Sequence, residues 1–199
     1  MDRVSETSAA IDALDRGELV VIPTDTVYGV AGRLDVHAVD ALFSLKQRSY
    51  DKPLPILGAD LEALAEIARF DGRARALAER FWPGPLTLVV PRAEGFGLPL
   101  GRGGEASVAV RVPAHPVALD VLRRSGPLAV TSANLSGEAE AHSIHDARAA
   151  LGESVGVYVE GGRCAGDPST VVSLMHDEPQ VLRPGAIRDE EVFRGLDQR

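Results

Sequence analysis

Cysteine is almost missing from this chain: one residue, Cys164, occurs among 199, which excludes an intramolecular disulfide and a thiolate zinc cluster. That usage suits a reducing cytoplasm. Long apolar stretches are also lacking. The longest runs, Leu19–Ile22 and Leu86–Val90, are strand-sized, and the polar start Met1–Thr7 has no apolar core behind its basic residue. Neither export nor membrane insertion is expected. Aromatic residues make up only 5%, and 21 Lys plus Arg face 29 Asp plus Glu, a formal charge of −8. This balance opposes an open basic, aromatic surface that tracks nucleic acid, but it permits a local cationic pocket. Several common templates are absent too: no G-x-x-x-x-G-K-[ST] phosphate loop, G-x-G-x-x-G turn, H-E-x-x-H pair or G-x-S-x-G elbow occurs.

What is present describes a soluble globular chain, 45% apolar and 25% charged, long enough to bury its own core. A single domain over residues 1–199 is the simplest organisation. Helical spacing predicts a helix over Ser5–Arg16, with Ser5 as a capping residue and Gly17 as its stop. Further helices are expected at Val36–Leu45, Leu61–Ala68, Arg73–Phe81, Val117–Arg124 and Ile144–Leu151. Short β-rich runs predict strands at Leu19–Ile22, Leu54–Leu57, Leu86–Val90, Ser107–Val112 and Leu128–Thr131. Three more follow near Val155–Val159, Thr170–Met175 and Gln180–Leu182. Helices and strands intermingle, so the fold class is α/β with a mixed sheet. Gly95–Gly104, with five glycines in ten residues, is the candidate mobile loop for closing over a site.

Polar segments recur where apolar strands begin or end, the usual ligand position in an open α/β sheet. Pro23-Thr24-Asp25-Thr26-Val27-Tyr28-Gly29 follows a buried strand and reads either as an Asx-type turn or as a binding loop. Lys46, Arg48 and Lys52 cluster at a helix exit, where they either complement the helix dipole or hold an anion. Strand alternation sends Ser107, Ala109 and Arg111 to one face. Arg111 lies between Val110 and Val112 and must meet a protein carboxylate or an anionic ligand. Thr131–Gly137 forms a hydroxyl-rich turn, and Ser169-Thr170-Val171-Val172 and Leu182–Ile187 complete the set. Together these pieces suggest a polyanion and a small polar substrate in one cleft. His142 and His145 lack a third ligand nearby and read as surface histidines, so no metal site is expected.

In order, PTDTVYG, KxR with DKPL, WPGPLT, SVAVRVP, TSANLSG, STVV and LRPGAI resemble the YrdC-like family, over residues 23–187. The resemblance implies a twisted mixed β-sheet with flanking helices and a large concave cleft. It implies an enzyme, a nucleotidyltransferase joining L-threonine, bicarbonate and ATP into threonylcarbamoyl-AMP and pyrophosphate for the t6A modification of tRNA. Mg²⁺ is implied with ATP, and a downstream threonylcarbamoyl transferase complex as partner. Carried over residue by residue, the catalytic set is Lys46, Arg48, Ser132 and Asn134. ATP falls to Arg48, Lys52, Ser107, Ser132 and Arg183, and threonine to Thr26, Arg111, Val130 and Ser169, with Tyr28 in the pocket wall. Where some members carry a polar residue at the threonine site, this chain has Leu57. Two other readings stand beside this one: an ATP-binding paralogue of different activity, and an RNA-binding module.

Overall fold

A computed structural model describes residues 3–102, 105–164 and 166–196. Its helices are α1 (Arg3–Asp15), α2 (Val36–Lys46), α3 (Leu61–Ala65), α4 (Gly72–Phe81), α5 (Pro116–Ser125), α6 (Ile144–Leu151) and α7 (Asp189–Arg194). The strands are β1 (Val20–Ile22), β2 (Gly29–Gly32), β3 (Ile56–Leu57), β4 (Leu86–Pro91), β5 (Ser107–Arg111), β6 (Leu128–Ser132), β7 (Val157–Tyr158), β8 (Thr170–Ser173) and β9 (Gln180–Arg183). All nine join one mixed sheet in the order β7-β1-β2-β6-β3-β5-β4-β8-β9. The expected α/β class is thus borne out, with helices flanking the sheet. No helix among the described residues is long and apolar enough to cross a membrane.

Strand alternation explains why the chain needs two cores. In β1, Val20 and Ile22 enter a cluster with Ala10, Ala13 and Leu14 of α1 and Val121 of α5, whereas Val21 enters the larger cluster with Val30, Leu42 and Phe43. Both faces are covered, so the strand reads as a continuous apolar run rather than an alternating one. Helix starts follow capping chemistry: the Asp35, Asp60 and Asp71 side chains accept from the amides of Ala38, Ala63 and Ala74. At α6, Ser143 and Asp146 form a reciprocal capping box.

Several expectations need correction. Ser5 is not a cap, because α1 is already helical at Arg3. The segment Gly29–Gly32 is a strand, β2, lying antiparallel between β1 and β6; its two glycines and single β-branched residue hide it from propensity. The glycines suit close packing instead, since a Cβ on Gly29 would lie 2.7 Å from Val130 Cγ1. The C-terminal helix α7 was also unexpected. Gly95–Arg102 is no free lid, because Leu100 is buried, its carbonyl accepts from the Leu54 amide, and Arg102 donates to the Tyr50 carbonyl. Gly103 and Gly104 of that predicted loop lie outside the described residues.

Candidate active site

The central strands carry their cleft-facing side chains in register. Leu88 pairs with Val110 across β4 and β5, which sets Thr87 opposite Arg111 on the same face. Leu86 and Leu88 point into the core, so Thr87 is a polar position on an otherwise buried strand end. Two adjoining cavities, of ≈ 140 Å³ and ≈ 340 Å³, open on this face. Arg48, Pro55, Thr87, Ser169 and Arg183 line both. Thr26, Leu57, Arg111, Val130, Ser132 and Glu140 belong to the first, and Ser107 and Ala109 to the second. The shared face expected for Ser107, Ala109 and Arg111 is therefore observed.

Arg111 is buried and reaches three partners: Nε donates to the Gly84 carbonyl at 2.9 Å, Nη1 to Thr26 Oγ1 at 3.0 Å and Nη2 to Asp25 Oδ1 at 2.6 Å. Of the two partners expected for it, the protein carboxylate is present. Asp25 also accepts from the Ala114 amide at 2.9 Å, which fixes the carboxylate in place. Burial pulls the Arg111 pKa down while Asp25 pushes it up, and nearby Arg183 adds a smaller downward pull. Arg48 is likewise lowered by burial and by Arg183. Three guanidinium groups thus converge on one cleft in a chain of net charge −8. Arg183 spends its hydrogen bonds on Ser169, donating to its carbonyl at 2.7 Å and to Oγ at 3.0 Å. Ser169 Oγ in turn lies 2.8 Å from Thr87 Oγ1.

Lys46 and Asn134 stand behind the cleft wall rather than in it. Lys46 is 2% exposed, and its ammonium donates to the Ser132 carbonyl, to Ser132 Oγ at 3.0 Å and to Asn134 Oδ1 at 3.2 Å. Its helix delivers it there because α2 ends at Gln47 in the left-handed conformation, φ 49°, which turns the chain so that Arg48 enters the cleft while Lys46 stays inside. An ammonium has only hydrogens to give, so Ser132 Oγ must accept from Lys46, and its own O–H remains for the cleft. The same logic orients Asn134, whose amide nitrogen donates to the carbonyls of Leu135 and Glu138. Burial, aided by Arg48 and opposed by Glu140, lowers the Lys46 pKa to about 8.

Two expected residues are not brought together with the rest. Lys52 is exposed and lines neither cavity, contributing only its carbonyl, which accepts from Arg48 Nε at 2.8 Å. Tyr28 is fully buried in the core, its hydroxyl donating to the Gly162 carbonyl at 2.7 Å, so it forms no part of the pocket wall. Four polar lining residues had no place in the expected site set: Thr24, Thr87, Thr131 and Glu140. The signal for Thr87 was the single polar residue between Leu86 and Leu88; Glu140, one acid outside any strand, left none. Among the described residues no group of three His, Cys, Asp or Glu is placed to hold a metal. His142 instead bonds the Cys164 carbonyl through Nδ1 at 2.9 Å.

Comparison with known proteins decides the family. The Sua5/YciO/YrdC family model, described as "Telomere recombination", matches residues 12–185. The chain belongs to this family. Among its Sua5/YciO/YrdC relatives, a putative threonylcarbamoyl-AMP synthase of Mycobacterium tuberculosis is 42% identical over 194 residues, covering 94% of this chain and 88% of that protein. The crystal structure of P. abyssi Sua5 complexed with L-threonine superposes with a TM-score of 0.91 at 37% identity, covering 100% of this chain and 59% of that one. This chain therefore spans little more than half of that longer Sua5 protein. E. coli YciO, at 24% identity and a TM-score of 0.86, shares the fold and covers 96% of this chain and 94% of its own.

Proposed function

We propose that the protein is a threonylcarbamoyl-AMP synthase, a nucleotidyltransferase that condenses L-threonine, bicarbonate and ATP. The observation that carries this reading is the convergence of Arg48, Arg111 and Arg183 on one hydroxyl-lined cleft, in a chain similar to a Sua5 protein crystallised with L-threonine. The threonine amine adds to bicarbonate and water leaves, giving a carbamate. A carbamate oxygen then attacks the α-phosphorus, and pyrophosphate departs with the bonding electrons. Two anions must meet in this step, and preorganised donors offset their repulsion at no reorganisation cost. Arg48, Arg183 and the Ser132 hydroxyl face the phosphates. Ser107 and the apolar walls of the larger cavity, Pro53, Leu54, Leu100 and Val108, enclose the base and ribose. Thr26, Arg111, Ser169 and the backbone at Val130 bind the amino acid. Lys46 and Asn134 act through Ser132.

Mg²⁺ arrives with ATP in this reading. One carboxylate, Glu140, lines the cleft, and a cation that keeps most of its waters and binds phosphates needs no more. It would spread phosphate charge in concert with the arginines. The product would pass to a threonylcarbamoyl transferase complex for tRNA t6A modification in the cytoplasm. Among the described residues no aromatic side chain lines either cavity, which gives the RNA-binding alternative no stacking platform there.

Purified protein given ATP, Mg²⁺, bicarbonate and L-threonine should release pyrophosphate, and omission of threonine should abolish the release. Pyrophosphate formed equally well without threonine overturns the reading in favour of a different ATP-dependent paralogue.

A further inference from the structure

Every proton around Thr26 can be assigned. Thr24 and Thr26 are 4% and 2% exposed, and both line the smaller cavity. The Thr24 hydroxyl donates its single hydrogen to the Val27 carbonyl at 2.6 Å. Between Thr24 Oγ1 and Thr26 Oγ1, 3.0 Å apart, the donor must then be Thr26, because Thr24 has no hydrogen left. Of the two lone pairs of Thr24 Oγ1, one takes the Thr26 hydroxyl and the other is shared by the longer amide contacts of Thr26 at 3.2 Å and Val27 at 3.3 Å. Arg111 Nη1 takes one lone pair of Thr26 Oγ1 at 3.0 Å. What Thr26 offers the cleft is one lone pair and no hydrogen.

Arg111 completes the pattern. Three of its five N–H groups are committed to Gly84, Thr26 and Asp25, and two remain. An acceptor from Thr26 and donors from Arg111 therefore stand side by side. An α-amino acid carries the complement, an N–H donor and a carboxylate, on one carbon. We propose that Thr24 is a positioning residue that fixes the polarity of the amino-acid subsite: by taking the Thr26 proton it makes Thr26 the acceptor for the substrate amine, next to the Arg111 donors for the carboxylate. The orientation is also compatible with the reaction, since an amine held through one N–H keeps its lone pair directed away from Thr26. This inference rests on the reading of the cleft as a threonine site.

The test is the affinity of the intact 199-residue chain for L-threonine and for ATP, measured by calorimetry on wild type, Thr24→Val, Thr24→Ser, Thr26→Val and the Thr24→Val/Thr26→Val double variant. Thr24→Val should weaken threonine binding about tenfold or more, the loss of one buried charge-assisted hydrogen bond, and leave ATP binding within about twofold. Thr24→Ser, which keeps the hydroxyl, should restore threonine binding. Because Thr24 acts through Thr26, adding Thr24→Val to Thr26→Val should cost nothing further. Unchanged threonine affinity in Thr24→Val, equal loss of both ligands, failure of serine to rescue, or additive loss in the double variant would each overturn the proposal. Should valine unfold the protein, Thr24→Ala carries the same expectations. A wild-type protein that binds ATP but no threonine refutes the threonine-site reading itself, a result distinct from all of these.

Discussion

Raising the pH through the Lys46 titration should lower activity and raise stability together, because one proton serves the site at the expense of the fold. Below about pH 8 the Lys46 ammonium donates to Ser132 Oγ and leaves the Ser132 hydrogen for the cleft, where the proposed function puts the phosphates. Once neutral, the amine has a lone pair of its own, and the Ser132 O–H turns inward to it. The cleft then loses a donor without any change in its lining. Arg48 and Glu140 are the charged groups that bear on Lys46, and their effects oppose each other, so burial sets the direction.

The stability side has the opposite sign. Lys46 holds its proton less tightly in the folded chain, at about 8, than at its ordinary 10.5, so between those values the unfolded chain binds more protons and stability rises with pH. At about 1.36 kcal/mol per pH unit, the gap amounts to about 3 kcal/mol, present as a cost below pH 8 and relieved by pH 10.5. Lys46→Met removes the titrating group and retains most of the volume. Its turnover should be about 10²-fold lower near neutrality, the usual effect of losing one preorganised donor. The ratio of wild-type to variant turnover, which cancels the titration of the substrate amine, should fall about tenfold for each pH unit above about 8. Over the same range, urea melts should show wild type gaining up to about 3 kcal/mol relative to the variant. A rate ratio flat to pH 10, or a stability difference independent of pH, refutes the assignment of Lys46 as a buried ammonium acting through Ser132.

Asp25→Asn leaves the Arg111 charge buried without its counter-ion and should cost about 3–5 kcal/mol of unfolding free energy; a urea-measured loss under about 1 kcal/mol would contradict the ion pair. Gly101→Ala is strained at φ 135° and sets a Cβ 2.7 Å from the Tyr50 carbonyl, so about 1–3 kcal/mol should be lost. The KM for ATP should rise as well, because Leu100 walls the larger cavity. Ser143→Ala removes the α6 capping box and should cost about 1 kcal/mol with kinetics unchanged, which a thermal melt and a steady-state assay together will check.

Legibility in the sequence followed the strength of the local signal. Elements with apolar periodicity, such as α2 and β4, were readable within a residue or two, whereas β2 was not. Its glycines belong to tertiary packing against Val130 and Ala38, information that no window of sequence contains. The site divided in the same way. Arg111 was readable because a cation on a buried strand is costly unless used, Arg48 as part of a cationic cluster at a helix exit, and Ser132 and Ser169 through the motifs that resemble the family; the structure places all four on one cleft. The misplacement of Lys46 and Tyr28 has one cause: the sequence shows that a polar group is present but not on which side of the wall it lies. A left-handed Gln47 decides the matter for Lys46, and the Gly162 carbonyl for Tyr28. Lys52 was read as part of a charge cluster, yet three cations within seven residues can point in different directions once the helix has ended.

The cleft arginines differ in how their charge is balanced, and the difference matches the two substrates. Among the described residues Arg111 is paired with a carboxylate, whereas Arg48 and Arg183 bond only to carbonyl and hydroxyl oxygens. The Arg111–Asp25 pair carries no net charge; it contributes directed N–H groups and little field. A zwitterionic amino acid requires that kind of partner, since a bare cation there would repel its ammonium group. A triphosphate requires the reverse, uncompensated positive charge that is free to move a short distance as the leaving group departs. Arg183 also donates to Ser169 Oγ, so if its guanidinium were drawn toward phosphate as proposed, the Ser169 hydroxyl assigned to the amino acid would be loosened. In the proposed reading nucleotide and amino acid would thus be coupled through Ser169, whose hydroxyl lies 2.8 Å from Thr87 Oγ1 and would keep that contact if Arg183 were drawn to phosphate.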